Sequence, residues 1–252
     1  VSVTYDEAVC VRHWDWSETS QTVSLFCRGA GMVRGLAKGS KREKAGFSGG
    51  IELATRGTAG MILKQTGAMA TITSWELEES FPALRSSLKR FQAGMAMLEL
   101  AHVAFQERDP HPVSYDALVA GLRGLAPGND WRVAAASLFW AVLSDAGYRP
   151  ELEVDVGTGE ALSDARVYEF APGLGGFTLR ARPDMRAWKV RATTLAYLRR
   201  LRDGTVSAAE HAPENESEGR ERGLLLLGAY TRECFASPLP ALQMLLPGAV
   251  SS

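Results

Sequence analysis

Cysteine is scarce and poorly placed for chemistry. The chain has three, Cys10, Cys27 and Cys234, an odd and widely spaced set with no CxxC pair. That argues against a disulfide framework or a zinc site and suits a reducing compartment. Histidine is scarce too, and His13, His102, His111 and His211 share no metal-ligand spacing. No metal and no cofactor is expected. Long apolar runs are missing, and the strongest, 224–227, is far shorter than the roughly 20 residues a membrane helix needs. The opening VSVTYDEAVCVRHW carries early acids and no apolar core, so it does not read as a signal peptide. A soluble, intracellular protein is expected, with no membrane partner. A net charge of −1 excludes global attraction to a polyanion, so any such binding must come from local patches. No internal repeat is visible. What is present is ordinary: 252 residues, 46% hydrophobic and 23% charged, enough for one large domain or two smaller ones.

Against that background the stretch 28–50 stands out. It holds Arg28, Arg34, Lys38, Lys41, Arg42 and Lys44 against one acid, Glu43, with glycines at 29, 31, 35, 39, 46, 49 and 50. Glycine at this density cannot make a helix core, but it turns tightly and lets backbone N–H groups approach a ligand. Cations and open amides together suit a phosphate backbone. The competing reading is a solvated, glycine-rich hairpin.

Residues 1–80 read as β. Short runs at 8–12, 19–26, 32–37, 50–56, 61–65 and 70–77 are rich in Val, Ile, Thr and Leu, with glycine or polar residues between them. Five or six such strands suggest a small closed barrel of the OB or SH3 type. The period changes at Ser80-Phe81-Pro82, where Ser80 can cap and Pro82 fits a first helical turn. Leu84, Leu88, Phe91, Met95, Leu98, His102 and Phe105 then predict one long helix with a bundle-facing stripe. His102 reads better as a hydrogen-bonded core histidine than as a ligand. Asp109-Pro-His-Pro112 breaks the helix, and Ser114 is placed to cap the next, with Tyr115, Leu118, Leu122 and Leu125 inward. Residues 127–130 form a turn and cap for a central helix over 131–146, ended at Gly147. Residues 151–183 read as a small hairpin or loop insertion. A helix is expected from Asp184 to Arg202, with Arg186, Lys189, Arg191, Arg199, Arg200 and Arg202 making a basic face nearly without acids. That face is either a solvated helix surface or a second polyanion patch. Residues 203–219 read as a flexible acidic loop. A last apolar helix over 221–235 and a short closing helix over 238–246 complete an α+β chain, divided into a barrel at 1–80 and a helical domain at 81–252.

Several motifs are incomplete. Gly29-x-Gly31-x-x-x-Gly35 imitates a dinucleotide fingerprint, but further glycines deny it the helix that motif must open. Lys38-Gly-Ser-Lys lacks the phosphate-loop spacing. Asp15 and Glu18 near His13 lie in a polar turn without an orienting partner. Trp14, Trp16 and Phe47 can stack on bases, although barrel packing is the simpler use of each.

The order of elements resembles a known family, the bacterial DNA repair protein RecO, a recombination mediator. Its carriers are Glu18-Thr19-Ser20, the strand 22–26, Gly31, then Ala37-Lys38-Gly39 with Lys41-Arg42 and Lys44. Ser80-Phe81-Pro82-Ala83-Leu84, Glu99-Leu100, Gly147-Tyr148-x-Pro150-Glu151-Leu152 and Ser237-Pro238-Leu239 follow. The resemblance implies an N-terminal OB-fold, a helical C-terminal domain and a DNA-binding role without catalysis. It further implies binding of single and double strands, annealing of complementary strands, and work with RecR and single-strand-binding protein to load the RecA recombinase. Many members carry a four-cysteine zinc module after the Gly-Tyr-x-Pro-Glu-Leu segment, whereas 151–180 here has no cysteine. Residues and resemblance agree on Lys38, Lys41, Arg42 and Lys44 as first DNA contacts, then Arg28 and Arg34. Arg186, Lys189, Arg191, Arg199 and Arg200 form the second candidate surface. The resemblance also suggests the acidic tail of single-strand-binding protein as a ligand of the helical domain, held by Arg186, Lys189 and Arg191. A cytoplasmic, nucleoid-associated location goes with this role. The alternatives are an interaction scaffold whose barrel binds only protein and, third, a nucleotide-using enzyme lacking a complete motif.

Overall fold

The computed structural model describes residues 2–42, 46–47, 49–64, 68–209 and 214–247, with side chains from 216 onward in the last segment. The chain opens with β1 (Thr4–Asp15), β2 (Gln21–Cys27), β3 (Gly31–Ala37), β4 (Arg56–Ile62) and β5 (Ala70–Glu79). They close as β1-β2-β3-β5-β4, with β4 returning to β1 and β3 meeting β5 in parallel. That is the five-stranded Greek-key order of an OB-fold.

The expected strand 50–56 is corrected to a turn-containing loop up to 55, and β4 instead starts at Arg56 and runs through Gly57 and Gly60 into the expected strand 61–65, of which position 65 lies outside the described residues. The reason is glycine. Gly57 and Gly60 look like breaks, yet a Cβ on either would collide with Glu76 O or Ser74 Oγ of β5. They are in-strand glycines that permit close approach.

Side-chain alternation sorts β1, β2 and β3 into two faces. Cys10, Leu25 and Val33 point into the barrel with Ile72 and Trp75. Val9, Phe26 and Met32 point out and join the helical core. The barrel and helices therefore share one apolar contact along a single barrel face.

A 3-10 helix (Pro82–Ser86) follows the barrel, entered through Phe81 at φ 44°. The expected single helix from residue 82 is broken at Ser87, which is extended and caps α1 (Leu88–Ala104) by accepting from the Arg90 N–H at 3.3 Å. Ser80 caps nothing. The expected stripe is partly wrong as well, because Leu88 and Phe91 are exposed while the small residues Ala93, Gly94, Ala96 and Ala101 are buried. Small side chains let α1 approach its neighbours closely, and that proximity outweighs the apolar spacing.

Next come α2 (Pro112–Gly124) and α3 (Trp131–Asp145). Asp130 caps α3, accepting from Arg132 N at 3.0 Å, and Gly147 follows the helix at φ 83°. Ser114 does not cap α2. It is fully buried and donates to Asp145 Oδ2 at 2.7 Å, tying α2 to α3.

The insertion is a three-stranded sheet of β6 (Val167–Ala171), β7 (Gly176–Thr178) and β8 (Trp188–Arg191), in the order β7-β6-β8. Its core is aromatic: Phe170 lies 5.1 Å from Phe177, 5.7 Å from Trp188 and 5.0 Å from Tyr230. Carboxylates tie down its loops. Asp155 accepts from Gly157 N at 2.8 Å and Leu179 N at 2.9 Å, and Glu151 accepts from Glu153 N at 2.7 Å. An aromatic cluster, the buried Asp155 carboxylate and the half-buried Glu151 carboxylate thus organise a segment without cysteine.

The expected helix 184–202 is corrected by β8. Trp188 and Val190 turn inward while Lys189 and Arg191 turn out, which is strand alternation. Only α4 (Ala192–Arg202) is helical. Then α5 runs Glu214–Phe235, starting inside the stretch read as a loop, and α6 (Pro240–Leu245) closes the chain. Glu99 of α1 caps α6, its Oε2 accepting from Ala241 N at 3.0 Å and Leu242 N at 3.2 Å.

Candidate nucleic-acid interface

The 28–50 stretch is not one surface. Its two ends lie at opposite ends of the β2–β3 hairpin. At the turn, the Gly29 and Ala30 amides donate to the Asp6 carboxylate at 2.9 and 2.7 Å, so an internal anion already occupies them. Arg28 makes two 2.9 Å hydrogen bonds to Asp116 of α2, which raise its own pKa and hold the Asp116 carboxyl below its ordinary value. Arg34, midway along β3, reaches Glu107 at 3.4 Å.

The other end differs. Lys38 and Arg42 are exposed and have no ion-pair partner among the described residues. Lys41 meets Asp15 at 2.6 Å. Lys44 lies outside the described residues. The segment 38–42 is anchored against the β1–β2 turn, with the Gly39 N–H donating to Ser20 Oγ at 3.1 Å and the Lys41 N–H to Thr19 O at 3.2 Å. Gly39 sits at φ 68°, a left-handed turn that a Cβ would strain. Buried Gln21 pins both ends of the longer loop, accepting from Ser40 Oγ at 2.9 Å and Ile51 N at 3.0 Å.

Trp14 and Trp16 are 49% and 67% exposed, so the expectation of barrel packing is corrected for both, while Phe47 is indeed core. Trp16, Leu36, Lys38 and Arg42 line a cavity of about 360 Å³. Trp14 faces outward near the end of β1, and Trp16 lies just beyond that strand. On the outer face, Trp14, Thr22 and Leu36 form one cross-strand row and Arg12, Ser24 and Arg34 the next. Arg12 was not singled out by sequence reasoning. It is half-buried and has no carboxylate partner among the described residues.

His102 of α1 lies near these arginines. Burial, then Arg12 and Arg34, lower its pKa to about 4, so the imidazole is neutral at pH 7. Its Nδ1 has no hydrogen-bond partner among the described residues, so the expected hydrogen-bonded core histidine is corrected to a half-buried, neutral one. Cys10 and Cys27 are interior, with burial pushing the Cys10 thiol up to about 12, which leaves no ready nucleophile there.

The second basic surface is largely neutralised from a distance. Arg186 meets Glu233 at 2.6 Å and Arg191 meets Glu218 at 2.6 Å. Arg199 meets Glu153 at 3.0 Å, Arg200 meets Glu216 at 2.7 Å, and Arg202 meets Glu153 at 2.6 Å. The expected lack of acidic partners was a property of the local sequence only. Lys189 is exposed and has no ion pair among the described residues. Among the described residues, no group of three His, Cys, Asp or Glu is placed to hold a metal, and no helix is long and apolar enough to cross a membrane.

An OB barrel with exposed aromatics and cations at one end, joined to a helical domain through its outer face, defines an OB-fold protein with an appended helical domain. The chain belongs to the Recombination protein O family: the family's N-terminal model matches residues 2–81 and its C-terminal model residues 85–243. The two matches meet at the Phe81 joint. A DNA repair protein RecO from Anaeromyxobacter sp. (strain K) is 29% identical over 215 residues, covering 84% of each chain. Another from Desulfitobacterium hafniense (strain DSM 10664 / DCB-2) is 25% identical over 227 residues, covering 88% of this chain and 81% of the relative. One from Rhodopirellula baltica is 30% identical over 115 residues, 46% of this chain and 43% of the relative.

Proposed function

We propose that this chain is a non-enzymatic, DNA-binding mediator of DNA repair and homologous recombination. It binds single- and double-stranded DNA, anneals complementary strands, and helps load RecA onto DNA coated by single-strand-binding protein, together with RecR, in the cytoplasm at the nucleoid. The observation that carries the DNA reading is the grouping of Trp16, Lys38 and Arg42 at one end of an OB barrel, with both cations unpaired among the described residues. Cations that neutralise phosphates, beside an aromatic that stacks bases, are what sequence-tolerant strand binding requires. Lys41 extends this surface, the proposed contact Lys44 lies outside the described residues, Arg34 and Arg12 continue the surface across the barrel, and Arg28 is committed to Asp116.

Family membership supports the partner assignments. The proposed acidic-tail site at Arg186, Lys189 and Arg191, and a DNA role for those residues with Arg199 and Arg200, require displacement of internal carboxylates such as Glu233 and Glu218. Fluorescence anisotropy with a labelled single-stranded oligonucleotide at two salt concentrations tests the reading. Salt-dependent binding that weakens in a Lys38→Ala, Lys41→Ala, Arg42→Ala triple variant supports it. Absence of binding by the wild-type chain refutes it.

A further inference from the structure

We propose that the groove between the barrel and helices α1 and α6 is a slot for a nucleobase of the strand that lies on the 38–42 loop. This rests on the DNA-binding reading above and extends it to the helical domain. The groove encloses about 380 Å³, within the range of small-molecule pockets, about 300–1,000 Å³. Arg12 and Trp14 form its barrel wall, Met95 and Leu98 of α1 its helical wall, and Met244 of α6 one lip. Trp14 and Met244 are 49% and 61% exposed, so large apolar groups stand open on both sides of the same cleft.

Position argues for DNA as the occupant. The row Trp14–Thr22–Leu36 has one end on this groove and the other on the Trp16–Lys38–Arg42 cavity. Neighbouring strands lie about 4.8 Å apart, so three strands separate the two cavities by about 10 Å. A strand whose phosphates meet Lys38 and Arg42 brings an adjoining base to the groove.

Chemistry points the same way. Indole stacks on any base, and thioethers adapt to flat rings of either size. Arg12, without a carboxylate partner among the described residues, offers a cation at the mouth for the flanking phosphate. The groove's acid, Glu99, is buried and turns Oε2 to the α6 amides, whose N–H groups partly offset its charge. Base stacking here would make the relative placement of barrel and α6 part of DNA recognition.

The test is photo-crosslinking of the full chain to an oligonucleotide carrying 4-thiothymidine, with adducts located by peptide mass spectrometry. Alongside it, anisotropy compares Trp14→Ala and Met244→Ala on intact and abasic oligonucleotides. We expect adducts on the peptides containing Trp14 and Met244. The Trp14→Ala variant should lose at least about fivefold in affinity with its salt slope unchanged, since stacking releases no counterion. That loss should shrink on the abasic strand. Met244→Ala alters an exposed side chain and keeps the test valid if the tryptophan variant does not fold. Adducts confined to the 16–42 peptides, with Met244→Ala binding like wild type, overturn the slot and leave the loop assignment standing. Wild-type protein that binds no oligonucleotide overturns both.

Discussion

The 38–42 loop and the 186–202 segment look alike as sequence, each a run of cations with few acids nearby. In the structure they are opposites. The loop keeps Lys38 and Arg42 unpaired among the described residues beside an open tryptophan. The segment is split between β8 and α4, and its arginines are met by Glu153, Glu216, Glu218 and Glu233. Local charge density therefore does not measure available charge. A cation held by an internal carboxylate must lose that partner before it can take a phosphate, and the two terms largely cancel.

The largest effect should come from breaking the network that belongs to the paired region. Arg220 is almost fully buried and reaches Asp130 at 3.3 Å and Glu216 at 4.0 Å. Asp130 keeps Arg132 and Glu216 keeps Arg200, but Arg220→Ala empties a fully buried site and cuts the link between them, which should cost about 3 kcal/mol of stability, read by urea unfolding. DNA affinity of the folded protein should not change. A loss of affinity without loss of stability would move the DNA site into the helical domain.

Next is the loop. The Lys38→Ala, Lys41→Ala, Arg42→Ala variant should fold normally and bind single strands about 30-fold more weakly, roughly 2 kcal/mol. Its log–log salt slope should fall by about 2, at roughly 0.7 per phosphate contact. Sequence preference should stay the same, because phosphate contacts carry no base information. Retained affinity and slope would erase the contrast between the two regions.

A smaller effect concerns acid stability. Burial raises the Asp155 carboxyl pKa, but the Leu179 amide, the Thr178 hydroxyl and the Gly157 and Thr158 amides outweigh it and leave the pKa below the ordinary 3.8. A depressed folded pKa contributes stability that is present above 3.8 and lost as pH falls through the folded value. Asp155→Asn should cost about 1–2 kcal/mol at pH 7 and flatten the decline of thermal stability below pH 4. A parallel decline in both proteins would remove Asp155 as the organiser of the insertion.

The smallest effect is expected where the sequence looks most basic. Arg186→Ala, Arg191→Ala and Arg200→Ala together should change DNA affinity by less than about twofold, since exposed pairs contribute little and their charge is already compensated. A loss comparable to that of the loop variant would show that the carboxylates yield to DNA.

The sequence by itself determined the barrel class, the helical remainder and the place of the basic loop. These rest on short-range signals: strand alternation, turn glycines, caps such as Asp130, and a dense run of cations. The family resemblance drew on the same local order. The tertiary structure decided which of those signals count. It ran one strand through Gly57 and Gly60 where a break was expected, because only the facing β5 shows that those glycines serve close approach. It opened Trp14 and Trp16 to solvent and buried Phe47. It paired Arg28 with Asp116 across 88 residues and Arg186 with Glu233 across 47. Charge compensation and close packing are properties of pairs distant along the chain, and a local window contains only one member of each.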